Sequence, residues 1–401
     1  MPGFSVWRAT SVSVGRTTMV SAFRTVEKIL TGPGSVEQLA EEVKRLGSDR
    51  TLLVTDKGLK EAGVVDAVCY VMEKAGVKYR IYDGVEPEPE ARLVNVAVKV
   101  GKEFGASSVV GLGGGSSLDV AKAAAVMMTN EGSVEDYFGM EKIRKPGLPV
   151  VAVPTTAGTG SEVTSISVLM DPSDGVKKGV VSSFMYAKVA ILDPTLSVNL
   201  PPRLTAMTGL DALVHAIESF TGVNANPITD ALNAKSIELI AANIRKAVFS
   251  GHDLAARDAM LTASCMAGMA FSNTQNGLDH ALALAMGSRY HLSHGLSTAI
   301  LLPWVMAFNL PANLEKFARI ARIVGKPVEG ADLRTMARLA VDWAKELLED
   351  LNVLPALRAY GVRKEDFPLL AKQALAAKRL IDNNPRRPSE EEVVSLLEEA
   401  Y

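Results

Sequence analysis

The first half of the chain alternates two apolar patterns. Short runs dense in Val and Leu are followed by stretches in which apolar residues recur every three or four positions. Residues 50–55 (RTLLVT), 78–82, 107–111 and 149–153 read as buried strands. Residues 59–75, 90–104 and 117–128 read as helices, the first ending at Gly76. Repeated strand–helix alternation predicts a parallel sheet with helices on both faces. Such sheets bind ligands at the carboxyl ends of their strands.

After Pro201-Pro202 the pattern changes. Ala, Leu, Met and Ile recur at helical spacing, and few β-branched runs remain. Residues 203–220, 227–249, 254–272, 277–288, 314–324, 332–351 and 364–377 read as helices. The expected organisation is an α/β unit over 25–200 and an all-helical unit over 201–401. An extension over 1–24, expected to be disordered, precedes them. No internal repeat or low-complexity tract is evident.

Composition narrows the class. The chain has 401 residues, 48% of them hydrophobic, enough for a large core and two domains. Its net charge of −2 offers no basic excess for nucleic acid or for an anionic membrane. The two cysteines, Cys69 and Cys265, lie in apolar surroundings, so they read as core residues in a reducing, cytoplasmic compartment. The most apolar stretch, 299–308, contains Pro303 and is about half the ~20 residues of a spanning helix. Residues 1–26 hold no acid and carry Arg8, Arg16 and Arg24, a faint likeness to a transit peptide. The plainer reading is an upstream start, with Met19 opening the compact protein.

Residues 107–122 read SSVVGLGGGSSLDVAK, an apolar run entering Gly113-Gly114-Gly115 and then a helix. Glycines let the backbone approach a diphosphate, and the first N–H groups of the helix point at it. Ser116 occupies the third glycine position of GxGxxG, so this is not the ordinary Rossmann fingerprint. The alternative is a plain tight turn. Asp56 follows the first strand, where an acid accepts hydrogen bonds from ribose hydroxyls and repels a 2′-phosphate. An N-cap or a solvated turn explains it as well. The segment 154–164 (PTTAGTGSEVT) packs hydroxyls and small residues at a strand end. That suits a nucleotide or simply a polar loop.

All five histidines fall between residues 215 and 294. Asp211 and His215, in GLDALVHAIE, are i,i+4 and share one helix face. Their helix is apolar nearly all round, which implies burial, and a buried Asp and His need partners. His280 and His294 are polar residues in equally apolar settings. Singly, each histidine reads as a satisfied core residue. Together, three imidazoles and a carboxylate suit Fe²⁺, Zn²⁺ or Ni²⁺ at a site without thiolates. His252, in SGHDL, reads as a solvated loop residue.

These segments jointly resemble the iron-containing (group III) alcohol dehydrogenase family. The matching pieces are GGGSSLDVAK at 113–122, PTTAGTGSEVT at 154–164, GLDALVHAIE at 209–218 and GLDHALALAMGSRYHLSHG at 277–295. The resemblance spans roughly residues 25–401. It implies a dehydroquinate synthase-like two-domain architecture with the active site between an α/β and an all-α domain. By position, Asp211, His215, His280 and His294 match the family's metal ligands. Gly113, Gly114, Gly115, Ser116 and Asp119 match its pyrophosphate and ribose contacts. Thr155, Thr156, Thr159 and Thr164 match contacts nearer the nicotinamide, and Lys178 matches a cofactor-contacting lysine across a loop one residue short. Asp56 matches the acid associated with NAD over NADP.

The resemblance also implies hydride transfer between nicotinamide and a small alcohol or aldehyde, with Fe²⁺ ahead of Zn²⁺ or Ni²⁺, in a homodimer or higher homo-oligomer. Two departures stand out. Leu284 replaces a histidine that many members carry four residues after the third ligand, leaving His291 as a substitute or as a surface residue. Glu88 replaces the asparagine of a PNP turn. Phe271, Ala281 and Leu284 are expected to line the substrate site. Three other readings share the scaffold: an NAD-dependent lyase resembling dehydroquinate synthase, a hydroxyacid–oxoacid transhydrogenase, and a non-catalytic NAD-binding protein. The lyase would need Lys and Arg around the metal. The candidates in residues 205–300 are Lys235, Arg245, Lys246, Arg257 and Arg289.

Overall fold

Runs of apolar residues buried on both faces build the first layer. A computed structural model describes residues 22–401. In it β1 (Lys28–Thr31), β2 (Arg50–Asp56), β3 (Lys78–Val85) and β4 (Ser108–Gly113) precede β5 (Gly139–Met140), β6 (Val150–Pro154), β7 (Ile166–Asp171), β8 (Val176–Val181) and β9 (Val189–Leu192). Helices α1 (Leu39–Arg45), α2 (Lys57–Glu61), α3 (Val64–Lys74), α4 (Ala91–Phe104) and α5 (Gly115–Met127) cover the main sheet. Its order is β1-β9-β6-β4-β2-β3, all parallel. Every residue of β4 and β6 is buried, which is why both strands read as unbroken apolar runs. The order in which strands are added reverses between β2 and β4, with β3 on one side of β2 and β4 on the other, and the crevice at that switch point opens at the strands' carboxyl ends.

The helical half follows in α6 (Pro202–Thr221), α7 (Pro227–Phe249), α8 (Leu254–Thr274), α9 (Leu278–Tyr290) and α10 (His294–Asn309). It continues with α11 (Leu314–Ile323), α12 (Leu333–Asp350), α13 (Phe367–Ala376), α14 (Lys378–Asn383) and α15 (Glu390–Glu399). One continuous apolar core fills this half, and separate cores lie on the two faces of the main sheet. The halves meet backbone to backbone: Gly160, at φ 59°, lies so near Gly268 of α8 that a Cβ on it would sit 2.6 Å from the Gly268 Cα.

Several expectations change. The helix expected over 59–75 is two, because Gly63 takes φ 75° and ends α2 before α3 begins. Strands β7 and β8 form an antiparallel hairpin that extends a small second sheet, β5-β8-β7. Its strands read ISVLMD and VKKGVV, and Ser167, Asp171, Lys177 and Lys178 break any apolar run that would mark it. The segment 364–377 begins as a 3₁₀ turn, with α13 starting at Phe367. The apolar stretch around 299–308 belongs to a longer one, His294–Ala312, which is long and apolar enough to cross a membrane. Here it is a core helix packed on α6, α9 and α12. The expected disorder over 1–24 lies outside the described residues except at its last three. There Arg24 N donates to Asn273 Oδ1 at 2.8 Å and Arg24 O accepts from Asn273 Nδ2 at 2.9 Å.

Candidate active site

Between the halves lies a cleft of about 1050 Å³. Its floor on the α/β side is the glycine turn. Gly113 ends β4 at φ 143° and does not itself line the cleft, since it lies behind Ser117, whose Oγ would stand 2.7 Å from a Cβ there. Gly114, Gly115 and Ser116 do line it. A Cβ at Gly115 would lie 2.6 Å from Thr159 Cγ2, so the glycine lets the threonine loop close over the first turn of α5. That leaves the N–H groups at the start of a 13-residue helix facing the cleft. Thr155, Thr156, Thr159 and Thr164 line the same wall.

The two loops are stitched together from below. Lys122 is fully buried and donates to Ser161 O at 2.9 Å, to Thr164 Oγ1 at 3.2 Å and to the Ile166 carbonyl. Burial pushes its pKa down, and nearby Asp119 opposes that. Asp119 lines the cleft, but its carboxylate accepts from Ser161 Oγ and, at 2.8 Å, from Val168 N. Asp119 therefore fixes the threonine loop at least as much as it faces a ligand. Asp56 is the N-cap that one reading of the sequence expects, and it also lies on the cleft wall. Its Oδ1 caps α2 by accepting from Leu59 N at 3.0 Å, and the residue lines the cleft beside Ser117.

Lys178 is displaced from its expected place. It pairs with Asp171 at 2.6 Å and with Asp174 at 2.7 Å and does not line the cleft. Successive residues of a strand point to opposite faces, so on β8 the cleft-lining lysine is its neighbour, Lys177. Lys177 forms an ion pair with Glu88, a residue held at φ 57°, in the left-handed region that asparagine tolerates better than glutamate.

At the other end Asp211, His215, His280 and His294 converge. His215 Nε2 lies 3.4 Å from Asp211 Oδ2, and the Nε2 atoms of His294 and His280 lie 3.5 and 3.9 Å from Asp211 Oδ1. Ligands bound at ~2.1 Å in a tetrahedral shell lie about 3.4 Å apart, so these separations fit one ion. The buried Nε2 of His280 has no hydrogen-bond partner among the described residues. Burial drives the pKa of His294 down to about 3, partly offset by Asp211, so its imidazole is neutral and free to coordinate. Burial acts to raise the Asp211 carboxyl, but the pull of His215, His294 and His280 outweighs it and holds the group ionised. These residues fit a divalent cation.

An outer ring of side chains aims the inner one, and the sequence motifs gave it no separate role. Glu218 sits on α6 seven residues after Asp211. Its carboxylate accepts from His280 Nδ1 at 2.6 Å, Gly277 N at 2.9 Å and Asp279 N at 2.7 Å. Nδ1 therefore carries the proton, and Nε2 offers its lone pair inward. Asn276 Oδ1 meets His215 Nδ1 at 3.3 Å, and Thr298 donates to Asp211 Oδ1 at 3.3 Å. The Phe271 ring stacks on His215 with centroids 4.2 Å apart.

Phe271 and Leu284 line the cleft, whereas Ala281 is buried in the helical core. His291 is exposed, caps α9 at φ 53° and lies outside the lining, so it does not replace the imidazole missing at Leu284. His252 lies in an exposed turn. None of Lys235, Arg245, Lys246, Arg257 or Arg289 lines the cleft.

A parallel-sheet half with a glycine turn at its switch point, facing a helical half with a buried donor cluster, defines a two-domain protein built to hold a nucleotide beside a metal ion. The family model of iron-containing alcohol dehydrogenase matches residues 26–194, and that of the Fe-containing alcohol dehydrogenase family C-terminal region matches 205–401. The chain belongs to the iron-containing alcohol dehydrogenase family. It is 45% identical to sulfoacetaldehyde reductase of Bilophila wadsworthia (strain 3_1_6) over 376 residues, covering 93% of this chain and 97% of that one. It superposes on the crystal structure of a 1,3-propanediol oxidoreductase with a TM-score of 0.94 at 39% identity, covering 96% of this chain and 100% of that one. A sulfoacetaldehyde reductase from Bifidobacterium kashiwanohense, solved in complex with NAD⁺, gives 0.87 at 28% identity, with 95% and 99% covered.

Proposed function

We propose that Asp211, His215, His280 and His294 hold a catalytic Fe²⁺, with Zn²⁺ or Ni²⁺ as competitors. We propose further that the chain reduces a small aldehyde, or oxidises the matching primary alcohol, with NAD as cofactor. The carrying observation is the buried, partnerless Nε2 of His280 turned toward Asp211, with two more imidazole Nε2 atoms beside it. When bound, the metal polarises the substrate oxygen as a Lewis acid.

The protein's own residues position and exclude. The glycine turn (Gly113, Gly114, Gly115 and Ser116), with Asp119 and Thr155, Thr156, Thr159 and Thr164 around it, cradles the dinucleotide across the switch point of the sheet. Lys177, in place of Lys178, is the lysine we assign to this site. Asp56 favours NAD over NADP, because a carboxylate beside Ser117 accepts from ribose hydroxyls and repels a 2′-phosphate. Phe271 and Leu284 keep the region next to the ligands apolar, which limits water during hydride transfer. Short aldehydes fit this reading, as do the relatives named for sulfoacetaldehyde and 1,3-propanediol.

In this reading residues 25–200 bind the nucleotide and 201–401 supply the ligands. The free, buried Cys69 and Cys265 accord with a cytoplasmic protein, and a homodimer is the assembly we expect. The test strips the metal, reloads Fe²⁺, Zn²⁺ or Ni²⁺ separately, and follows NADH and NADPH absorbance with short aldehydes. Activity should return with metal and should be higher with NADH. Undiminished turnover in metal-free protein would sink the proposal.

A further inference from the structure

Three basic residues line the cleft among the described residues: Lys57, Lys177 and Arg379. Lys57 opens α2 directly after Asp56, on the nucleotide side. Lys177 is engaged by Glu88. Arg379 forms no ion pair with any described residue; the side-chain contacts of its neighbours instead tie its helix to the metal end. It is the second residue of α14, and α14 packs on α9, the helix of His280 and Leu284. Four residues on, Asn383 Nδ2 donates to the carbonyls of Gln275 at 2.8 Å and Asn276 at 3.1 Å. Asn276 in turn touches His215. Next to Arg379, Leu380 lines the cleft, as do Phe271 and Leu284.

This placement needs a physical account. A guanidinium stays charged in any protein setting. Arg379 has exposed surface, yet protein crowds it enough for desolvation to lower its pKa, and no acid opposes that shift. An exposed guanidinium on the cleft wall with no acidic partner among the described residues is free to pair with an anion that enters the cleft. The planar fork matches the paired oxygens of a sulfonate or carboxylate. Leu380, next to it in sequence, and Phe271 and Leu284 of the same cleft give apolar surface suited to a short carbon chain.

We propose that Arg379 recognises substrate charge: the preferred substrate is a short aldehyde bearing a sulfonate or carboxylate at its far end. The oxyanion pairs with the guanidinium while the carbonyl faces the ligand cluster. The overall reaction is that of the site, aldehyde + NADH + H⁺ giving alcohol + NAD⁺, and the acidic group is unchanged. This inference rests on the aldehyde reductase reading above.

The experiment compares metal-loaded wild type with Arg379→Met and Arg379→Lys. The substrates are sulfoacetaldehyde against propanal, and succinic semialdehyde against pentanal. Wild type should favour at least one anionic aldehyde over its neutral match by tenfold or more in kcat/KM, mainly through KM. Arg379→Met should cut that ratio at least tenfold, with Arg379→Lys between. Ethanesulfonate and propionate should compete with propanal in wild type, with Ki raised about tenfold in Arg379→Met. Whichever anion is preferred identifies the group recognised. A neutral preference in wild type, or an anion ratio and Ki unchanged in Arg379→Met, overturns the proposal. Failure of every aldehyde to oxidise NADH would instead overturn the reductase reading itself.

Discussion

At one end of the cleft, three strand ends of the α/β half supply short contiguous pieces: Asp56 closing β2, Gly114 to Ser116 after β4, and Thr155 to Thr164 after β6. What they present is largely backbone and hydroxyl. At the metal end, single side chains from α6, α9 and the first residue of α10 converge from positions 211 to 294. What they present is charge and lone pairs, and Asp211, His215 and His280 are each aimed by another buried side chain. The nucleotide end is a shape that local turns produce. The metal end is a balance of buried charges, and removing one member leaves the others uncompensated.

That contrast can be broken most sharply at His280. His280→Ala strands both Asp211 and Glu218, so bound metal and turnover should fall by about a thousandfold or more, equivalent to roughly 4 kcal/mol. Elemental analysis alongside the NADH assay checks both together.

A smaller loss is expected one layer out. Glu218→Gln leaves one carbonyl oxygen where three donors converge, so metal affinity should drop about 10- to 100-fold while the fold persists. Competition with a metal chelator measures it. Unchanged affinity would show that Glu218 only braces the Gly277–Asp279 turn.

The nucleotide end should respond more mildly. Gly115→Ala pushes a methyl against Thr159, which can shift, so KM for NAD should rise roughly tenfold, ~1.4 kcal/mol, with metal content unaltered. Simultaneous loss of metal would erase the distinction between the ends.

The least effect is expected at Asp366, which clamps the end of α9 through Arg289 and Tyr290. Arg289 and then Tyr290, opposed by burial and helped by Arg363, hold its carboxyl well below the usual range. The stability it adds is complete above the ordinary aspartate pKa of about 4 and fades as pH falls toward the depressed folded value. Asp366→Asn should therefore show a flatter decline of Tm than wild type between pH 6 and 3.

Legibility in the sequence followed burial. The central strands were plain, because a segment covered on both faces must be apolar throughout. Hairpin β7–β8 carries no such signal, because Ser167 and Asp171 interrupt one strand and Lys177 and Lys178 the other. The proposed ligand residues stood out as polar residues in apolar helices. Their outer partners did not, since nothing about Glu218 within its own helix says which histidine it will meet. Lys177 and Lys178 are indistinguishable until strand β8 fixes its register and turns one to the cleft and the other to Asp171.

Determined by sequence alone were the α/β-then-helical order, the glycine turn and the identity of the donor atoms, because each follows from local spacing and backbone freedom. Left to the tertiary structure were the 3.4–3.9 Å meeting of those donors, the tautomer that Glu218 sets, and the place of Arg379 on the cleft wall with no ion-pair partner among the described residues. Each depends on packing between helices distant in the chain, and no local pattern records which distant surface a buried side chain will face.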